Sequence, residues 1–360
     1  MEKFWYTLLI LLQKNIMDHF PTLPSRKADH IRINLEEDVS SGMSAGFDRL
    51  RFCHQALPEI NLEEVDTRLS VFGRTLNAPI LISSMTGGTE KAAEINQRLA
   101  EAAQMAGVAL GLGSQRAALE NTCLVETFQV RKWAPDILLF ANLGAIQLNY
   151  DYSIDQCLRV VDMVEADGLI LHLNPLQEAL QPEGDVQFRG LIGKIEEVCK
   201  KLPVPVIVKE VGWGISERVA LMLLQAGVSA IDVAGAGGTS WSQVEMYRMK
   251  DEKQASIASV FRNWGISTVD SLRIVRRTAP GLMIFASGGI RNGLEIAKSI
   301  ALGATVGGMA GPFLKAAIIS TEEVYDLLQI LHRQLQLTMF AAGAANLAEL
   351  SSMPLMDDGN

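Results

Sequence analysis

Several basic and polar residues of this chain occur where they could bind an anion together. The set consists of Arg26, Lys27, His30, Ser114, Gln115, Arg116 and His172. Arginine can give two parallel hydrogen bonds to a phosphate group, so the set could hold a diphosphate. Taken alone, Arg26 and Lys27 could equally be a solvated surface pair. His172 could likewise be a core histidine whose hydrogen bonds are satisfied.

The pair Gln177-Glu178 lies a few residues beyond an apolar run, 168–173, that predicts a buried strand. A carboxylate beside a diphosphate needs a hard cation between the two, and Mg²⁺ usually binds one or two carboxylates together with substrate phosphates. Glu178 is therefore the candidate metal ligand. Gln177 has no useful pKa, so we expect it to position a substrate. The two residues could instead begin a helix, in which Glu178 would favour the helix dipole.

Two glycine-rich segments, 286–293 and 309–312, follow the last two predicted strands. Their glycine N–H groups could bind a phosphate, because a side chain would block a close approach. The candidate residues are Gly288, Gly289, Ile290, Arg291, Ala310 and Gly311. The segment 235–240 adds a third group of donors. The alternative is that these segments are tight turns and nothing more.

The elements that must position these residues are eight apolar runs, most of them followed by a helical stretch. The predicted strands are 78–84, 108–113, 137–143, 168–173, 204–211, 230–236, 283–287 and 305–310. Helices are predicted at 90–106 and near 121–134, and an amphipathic helix at 321–345. Eight such units predict a TIM (β/α)8 barrel, whose active site lies at the C-terminal ends of the strands.

The segments outside the barrel give a provisional domain organisation. Residues 1–25 form an N-terminal extension, and residues 26–77 a substrate-binding and capping segment in which 59–76 could form a hairpin under the barrel. The barrel itself takes residues 78–345, and 346–360 form a C-terminal tail. The apolar run 4–12 is too short to span a bilayer, which needs about 20 residues. We expect an appended or misassigned start there, with a surface anchor as the alternative.

A phosphate at strands seven and eight, with polar groups at the other strand ends, favours FMN lying across the barrel mouth. Lys209 could stabilise negative charge on the reduced ring, and Asn142 and Ser114 could bind its edge. Four further candidates, which could approach one face of the ring, are Ser84, Met85, Thr86 and Gly87. Lys209 could instead be a Schiff-base nucleophile, as in aldolases.

The overall composition limits the possible functions. The chain has 360 residues, 48% of them hydrophobic, and a formal net charge of −9. An acidic chain is a poor candidate for binding nucleic acid through its bulk charge. The four cysteines are scattered without metal-ligand spacing, which favours free thiols in a reducing cytoplasm.

These residues, in this order, resemble the type 2 isopentenyl diphosphate isomerases, FMN-dependent enzymes of isoprenoid synthesis. The similarity extends from about Arg26 to Ala345. It rests on residues 26–30, 85–88, 113–116, 142–144, 172–178, 208–212, 237–241, 264–268 and 287–289. The segment before Arg26 departs from the family, whose members usually begin within a few residues of that motif.

The resemblance implies interconversion of isopentenyl and dimethylallyl diphosphate with FMN, Mg²⁺ and NADPH as the flavin reductant. Arg26, Lys27 and Arg116 would hold the diphosphate, with Ser114 and Gln115 close by. Gln177 would contact substrate and Glu178 would bind Mg²⁺. Lys209 and Thr239 would bind FMN. The resemblance further implies a homo-oligomer, a tetramer or octamer.

The implied reaction moves a double bond by one carbon without net redox change. It needs one proton delivered to the terminal methylene and another removed from the allylic carbon. No strand-end side chain is evident as a dedicated acid/base pair, because Glu178 is assigned to the metal. The hypothesis is that reduced FMN transfers the proton, at N5, while Lys209 tunes its charge and Gln177 positions the substrate.

Two other functions compete with this interpretation. FMN-dependent 2-hydroxy-acid oxidases share the phosphate layout but place a histidine base and an arginine late in the barrel. Arg291 is present here, yet His332 falls in the last helical region, which argues against an oxidase. The second alternative is a flavin-binding regulatory protein without turnover.

Overall fold

The computed structural model describes residues 23–357, without the side chains of residues 23–25. Three short strands precede the barrel: β1 (Leu50–Phe52), β2 (Leu69–Val71) and β3 (Arg74–Leu76). The next eight are β4 (Ile80–Ile82), β5 (Ala109–Gly111), β6 (Leu139–Gly144), β7 (Gly168–Leu173), β8 (Val206–Glu210), β9 (Ala230–Asp232), β10 (Met283–Ser287) and β11 (Val306–Met309). A last strand, β12, spans Leu355–Asp357. Strands β4 to β11 are parallel and form a closed barrel, in which β11 pairs with β4. The predicted TIM barrel is confirmed.

Helices surround the barrel and cover its mouth. In the first half they are α1 (Leu23–Glu36), α2 (Glu90–Ala106), α3 (Arg116–Glu120), α4 (Ile154–Val164), α5 (Pro175–Leu180), α6 (Leu191–Lys201) and α7 (Glu217–Gln225). The second half contains α8 (Trp241–Arg248), α9 (Glu252–Ser259), α10 (Thr268–Thr278), α11 (Gly293–Ala301), α12 (Gly311–Ile319), α13 (Thr321–Ala342) and α14 (Leu347–Ser351). No described helix is both long and apolar enough to cross a membrane. The apolar run 4–12 lies outside the described residues.

The barrel interior is filled by one apolar side chain from each strand. These are Leu81, Ala109, Phe140, Ile170, Ile207, Ala230, Phe285 and Val306. The hairpin of β2 and β3 closes the lower end, where Phe72 meets Phe140 edge-on at 6.3 Å between ring centroids. Neighbouring positions on the strands pack outward against the helices, as expected for strands buried on both faces. The predicted hairpin is thus present, limited to residues 69–76.

The helix predicted near 121–134 is wrong. Helix α3 ends at Glu120, and two short 3₁₀ helices follow, Thr122–Thr127 and Arg131–Trp133. Asn121 adopts an extended conformation, which ends α3. Its side chain accepts a hydrogen bond from the N–H of Cys123 and so caps the start of the first 3₁₀ helix. Asparagine competes with helical hydrogen bonding in this way.

The C-terminal residues fold back onto the segment before the barrel. Helix α13 ends at Ala342, three residues short of the predicted boundary at 345, and Gly343 caps it with a φ of 79°. Residues 346–357, expected to form a tail, contain α14 and β12, and β12 pairs antiparallel with β1. The last described strand is therefore held against the segment that precedes the barrel.

Candidate active site

A pocket of about 700 Å³ lies at the C-terminal ends of the barrel strands. Helix α1 covers one side of it, because Ile33 packs against Val244 and Trp241 of α8. This packing brings Arg26, Lys27 and His30 to the pocket from a segment that precedes the barrel by some fifty positions of sequence. Twenty of the sequence-predicted site residues line this one cavity, and two, Gln115 and Gly87, do not.

Gln115 and Gly87, unlike the other candidates, do not line the pocket. Gln115 is fully buried, its Oε1 accepts from the N–H of Asn142 at 2.9 Å, and its Nε2 donates to the Val160 carbonyl at 2.8 Å. Its amide is therefore used to join β6 to α4. At Gly87 an added Cβ would lie 1.9 Å from the Phe128 ring, so this glycine allows the chain to pack against Phe128.

The phosphate-binding candidates form one end of the pocket. Gly288 and Gly289 follow β10 with φ values of 101° and 72°, a conformation that favours glycine. A Cβ at Gly289 would lie 2.4 Å from the Gly237 carbonyl oxygen, so the turns after β9 and β10 touch through backbone. Helix α12 begins at Gly311 directly after β11, and a Cβ at Gly311 would meet nothing within 4 Å. Ile290, Arg291, Ala310 and Thr239 line the same end.

The centre of the pocket contains a chain of hydrogen bonds across three strand ends. His172 donates through Nδ1 to Asn142 Oδ1 at 2.9 Å, and Asn142 donates through Nδ2 to Ser84 Oγ at 3.0 Å. Burial and the charges of Lys209 and Lys27 lower the pKa of His172 to about 3. His172 is therefore neutral at pH 7, with Nε2 as an acceptor.

Lys209 is the register partner of His172 on β8 and donates to the carbonyl of Glu210 at 2.7 Å. Beside them, Met85 and Thr86 line the cavity. Ser83 Oγ and Thr86 Oγ1 are buried and have no hydrogen-bond partner among the described residues. Unsatisfied buried hydroxyls of this kind are costly unless a ligand or water binds them.

Lys27 lies at the basic end of the pocket. Its Nζ donates to the Ser114 carbonyl at 2.6 Å and lies 5.2 Å from the centroid of the Phe128 ring. Burial and the neighbouring charge of Arg26 lower the pKa of Lys27 to about 7. A bound anion would restore the charged form of this lysine.

The two arginines of the basic end are fixed by acceptors outside the barrel strands. Arg26 donates to Gln181 Oε1 at 2.9 Å. Arg116 donates through Nε to Glu120 and through Nη1 to Asp185 Oδ2, both at 2.7 Å. The guanidinium of Arg116 is therefore held in one orientation at the rim of the pocket.

Glu178 lies at the start of α5, as the alternative helical interpretation expected, and also lines the pocket. Its Oε1 accepts from Asn174 Nδ2 at 2.7 Å and its Oε2 from the N–H of Asp185 at 2.8 Å. Each carboxylate oxygen keeps a lone pair for a further partner. Burial raises the pKa of Glu178, which means that a nearby cation would stabilise its charged form. Asn174 Oδ1 is buried without a partner beside it.

A cation at Glu178 would need oxygen ligands from a substrate. Within residues 23–357, no group of three or more histidine, cysteine or acidic side chains is placed to hold a metal. Mg²⁺ suits such a site, because it usually retains waters and binds substrate phosphates. The donor set of Glu178 and Asn174 therefore fits the expected ion in combination with a diphosphate.

Glu245 is a buried carboxylate that the sequence analysis did not assign to the site. It accepts from Gln177 Nε2 at 3.0 Å, from Gln181 Nε2 at 2.8 Å and from His30 Nε2 at 3.2 Å. Burial opposes its charge, but the hydrogen bond from His30 and the charge of Arg248 outweigh it and lower its pKa to about 2. A glutamate inside α8 carries no sequence signal, because only folding brings it behind Gln177.

Comparisons with known proteins identify the family of this chain. The sequence profile of the FMN-dependent dehydrogenase family matches residues 22–133 and 182–356. An isopentenyl-diphosphate delta-isomerase of Nostoc sp. is 54% identical over 327 residues, covering 91% of this chain and 93% of that protein. One of Synechocystis sp. is 56% identical over 335 residues, covering 93% and 96%. One of Rickettsia bellii is 52% identical over 330 residues, covering 92% and 96%.

Solved structures of mandelate oxidase share the fold. One with a substituted methylphenylacetate is 18% identical, with a TM-score of 0.65, covering 91% of this chain and 96% of that chain. At this identity the similarity concerns the fold alone. The sequence relatives are far more similar and span nearly the whole chain, so this chain belongs to the FMN-dependent dehydrogenase family and, within it, to the isopentenyl-diphosphate delta-isomerases.

Proposed function

We propose that the protein interconverts isopentenyl diphosphate and dimethylallyl diphosphate, with FMN across the barrel mouth and Mg²⁺ at Glu178. One observation carries the proposal: a single pocket contains the basic residues Arg26, Lys27 and Arg116 together with the carboxylate of Glu178. A diphosphate and a hard cation satisfy both groups at once. The names of the relatives given above support an isopentenyl group as the organic part of the substrate.

The residues that would hold FMN lie at the opposite end and the centre of the pocket. Gly288, Gly289 and the start of α12 at Gly311 would bind its phosphate through backbone N–H groups. The unpartnered hydroxyl of Thr86 and the side chains of Asn142 and Lys209 would contact the ring. When bound and reduced by NADPH, the flavin supplies the proton-transferring group that the chain itself lacks at the strand ends.

The side chains of the pocket would orient the substrate and exclude water. Gln177 is 7% exposed and is held by Glu245 and by Asn174, which donates to its Oε1 at 3.2 Å. With both ends of its amide fixed, Gln177 would contact the substrate in one orientation. A closed, water-poor cavity would protect cationic character that develops as the terminal methylene is protonated.

Two histidines line this pocket, His30 and His172, and His30 is already hydrogen-bonded through Nε2 to Glu245 at 3.2 Å. His332 is hydrogen-bonded to Thr67 Oγ1 at 2.7 Å and does not line the cavity. His172 lines it, but its pKa of about 3 makes it a poor acceptor of a substrate proton. The position of His332 therefore supports the argument against 2-hydroxy-acid oxidation.

The function is tested by assaying purified protein with isopentenyl diphosphate, FMN, NADPH and Mg²⁺ in the absence of oxygen. We expect dimethylallyl diphosphate to form only after the flavin is reduced, and no oxidation of mandelate in a parallel assay. Turnover with oxidised FMN, or the absence of isomerisation with all components present, would contradict the proposal. Full activity with a reduced 5-deaza flavin would exclude N5 as the site of proton transfer. A cytoplasmic location and a tetrameric or octameric assembly stay predictions.

A further inference from the structure

The short loop after α5, residues 181–185, passes closely over Glu178. The N–H of Asp185 donates to Glu178 Oε2 at 2.8 Å. At Gly184 an added Cβ would lie 1.8 Å from the Glu178 carbonyl oxygen, so only glycine permits this approach. The backbone of the loop is therefore built to reach the carboxylate of Glu178.

The side chain of the same residue points to the basic end of the pocket. Asp185 Oδ2 accepts from Arg116 Nη1 at 2.7 Å and from Gln147 Nε2 at 2.9 Å. The Asp185 side chain is 15% exposed and Gln147 is buried, so water competes weakly for these hydrogen bonds. Charge-assisted hydrogen bonds of this kind are stronger and more directional than neutral ones.

We propose that Asp185 is a positioning residue that joins the diphosphate-binding arginine, Arg116, to the metal-binding carboxylate, Glu178. The inference rests on the proposed function, since it presumes that a diphosphate and Mg²⁺ bind at these two residues. One residue fixes Arg116 through its carboxylate and Glu178 through its N–H, so the two sites keep a constant separation. That separation decides whether one ligand can bridge them.

The negative charge of Asp185 should favour Mg²⁺ binding, in addition to the effect of its hydrogen bonds. Asp185 contacts Glu178 Oε2 through its N–H at 2.8 Å, so the carboxylates of the two residues are neighbours. Two neighbouring carboxylates repel each other, and a divalent cation between a carboxylate and a diphosphate relieves the repulsion. Loss of Asp185 should therefore weaken Mg²⁺ binding both by releasing the loop and by removing a negative charge.

Glu120 provides a matched control, because it is the second carboxylate on Arg116. Its Oε1 accepts from Arg116 Nε at 2.7 Å, within α3, and its side chain is 39% exposed. Replacing Glu120 by alanine also removes one negative charge beside the Arg116 guanidinium. Unlike Asp185, however, Glu120 makes no described hydrogen bond to Glu178 or to Gln147. Comparing the two positions separates the link to Glu178 from a simple effect on Arg116.

The test measures binding rather than turnover. Inorganic diphosphate is titrated calorimetrically into protein loaded with oxidised FMN, with and without saturating Mg²⁺, for the parent, Asp185→Ala, Asp185→Asn and Glu120→Ala. Loss of an outer-shell partner typically lowers metal affinity about 10- to 100-fold. We therefore expect Asp185→Ala to lose most of the Mg²⁺-dependent gain in affinity, and Asp185→Asn to lose part of it. Glu120→Ala should keep the parental gain within about 3-fold, because exposed charges contribute little.

The outcomes distinguish the inference from the function on which it rests. A parental Mg²⁺-dependent gain in both Asp185 variants would overturn the role of Asp185 alone. An equal loss in Glu120→Ala would also overturn it, since the effect would then belong to Arg116. A parent protein that shows no Mg²⁺-dependent gain would overturn the proposed metal site and the inference together. Flavin content and melting temperature show that each variant is folded, and Asp185→Asn preserves the size of the side chain.

Discussion

The part of the chain that matches the FMN-dependent dehydrogenase profile and the part that does not, residues 134–181, bring different groups to the pocket. The matched part supplies the glycine turns after β10 and β11 and the polar segment after β4. The unmatched segment contains β6, β7 and α5, with His172, Asn174 and Glu178 at their ends. Backbone groups thus dominate the end after β10 and β11. The other end combines the buried amides and carboxylate of the unmatched segment with Arg26, Lys27 and Arg116 of the matched part.

This contrast indicates how one barrel can serve different reactions. Glycine backbone at the end of β10 can bind a phosphate whatever reaction follows, so it need not change between family members. A carboxylate and two amides at the end of β7 fit a cation and a diphosphate, which only some substrates contain. The two parts remain connected, because Asn142 of the unmatched segment donates to Ser84 of the matched one. The following predictions test whether the two ends act independently.

The largest effect is expected at the unmatched end, from Glu178→Gln. The amide keeps the size of the side chain but loses the charge that attracts Mg²⁺, so turnover at limiting Mg²⁺ should fall on the order of 100-fold. Bound FMN, measured by absorbance, should be unchanged. Isomerisation rates against Mg²⁺ concentration provide the measurement, with Glu120→Gln as the control. Unaltered Mg²⁺ dependence in Glu178→Gln would remove the metal role from this residue.

A smaller effect is expected at the matched end, from Gly289→Ala. The new Cβ would lie 2.4 Å from the Gly237 carbonyl oxygen at a φ of 72°. Strain of about 1–2 kcal/mol corresponds to about 5- to 30-fold weaker FMN binding. Gly193→Ala is the matched control, since a Cβ there meets nothing within 4 Å and Gly193 does not line the pocket. Fluorescence titration of FMN measures both variants. Equal FMN affinity in the two would refute the role of the strained turn.

With saturating FMN, the Mg²⁺ dependence of Gly289→Ala should equal that of the parent. A shifted Mg²⁺ dependence would show that the two ends of the pocket are coupled, contrary to the comparison drawn above.

The smallest effect is expected from Lys27→Ala, at the edge of the matched part. Loss of one charge-assisted contact should weaken diphosphate binding about 10-fold. Because the pKa of Lys27 is about 7 when no anion is bound, this lysine is mostly charged below pH 7 and mostly neutral above it. Diphosphate binding at pH 8 should therefore take up a proton, and affinity should fall as the pH rises.

Calorimetry in two buffers of different ionisation enthalpy measures this proton uptake. Lys132→Ala is the control, since Lys132 also lies over an aromatic ring, at 4.0 Å from the Trp133 centroid, but does not line the pocket. Proton uptake that persists undiminished in Lys27→Ala would assign the titration to another group.

The sequence predicted the elements of the barrel well because each depends on local pattern. Aliphatic runs that end in glycine or polar residues mark buried strands, and parallel strands place their C-terminal ends on one face. Candidates named from strand ends therefore fall into one cavity, from Ser84 after β4 to Gly311 after β11. The predicted helix near 121–134 failed where Asn121 interrupts an otherwise helical pattern.

Contacts between distant segments were decided by the tertiary structure alone. Gln115 follows a strand as Ser114 and Arg116 do, but hydrogen bonds to Asn142 and Val160 turn it inward. The carboxylates of Asp185 and Glu245 reach the site through partners 69 and 68 positions away, at Arg116 and Gln177. A sequence pattern shows which face of an element is buried, whereas the partner of a buried polar group depends on how the elements pack together. The sequence by itself thus determined the barrel and the ring of strand-end residues, and the packing of α1, α5 and α8 over the mouth decided which other side chains lie beside them.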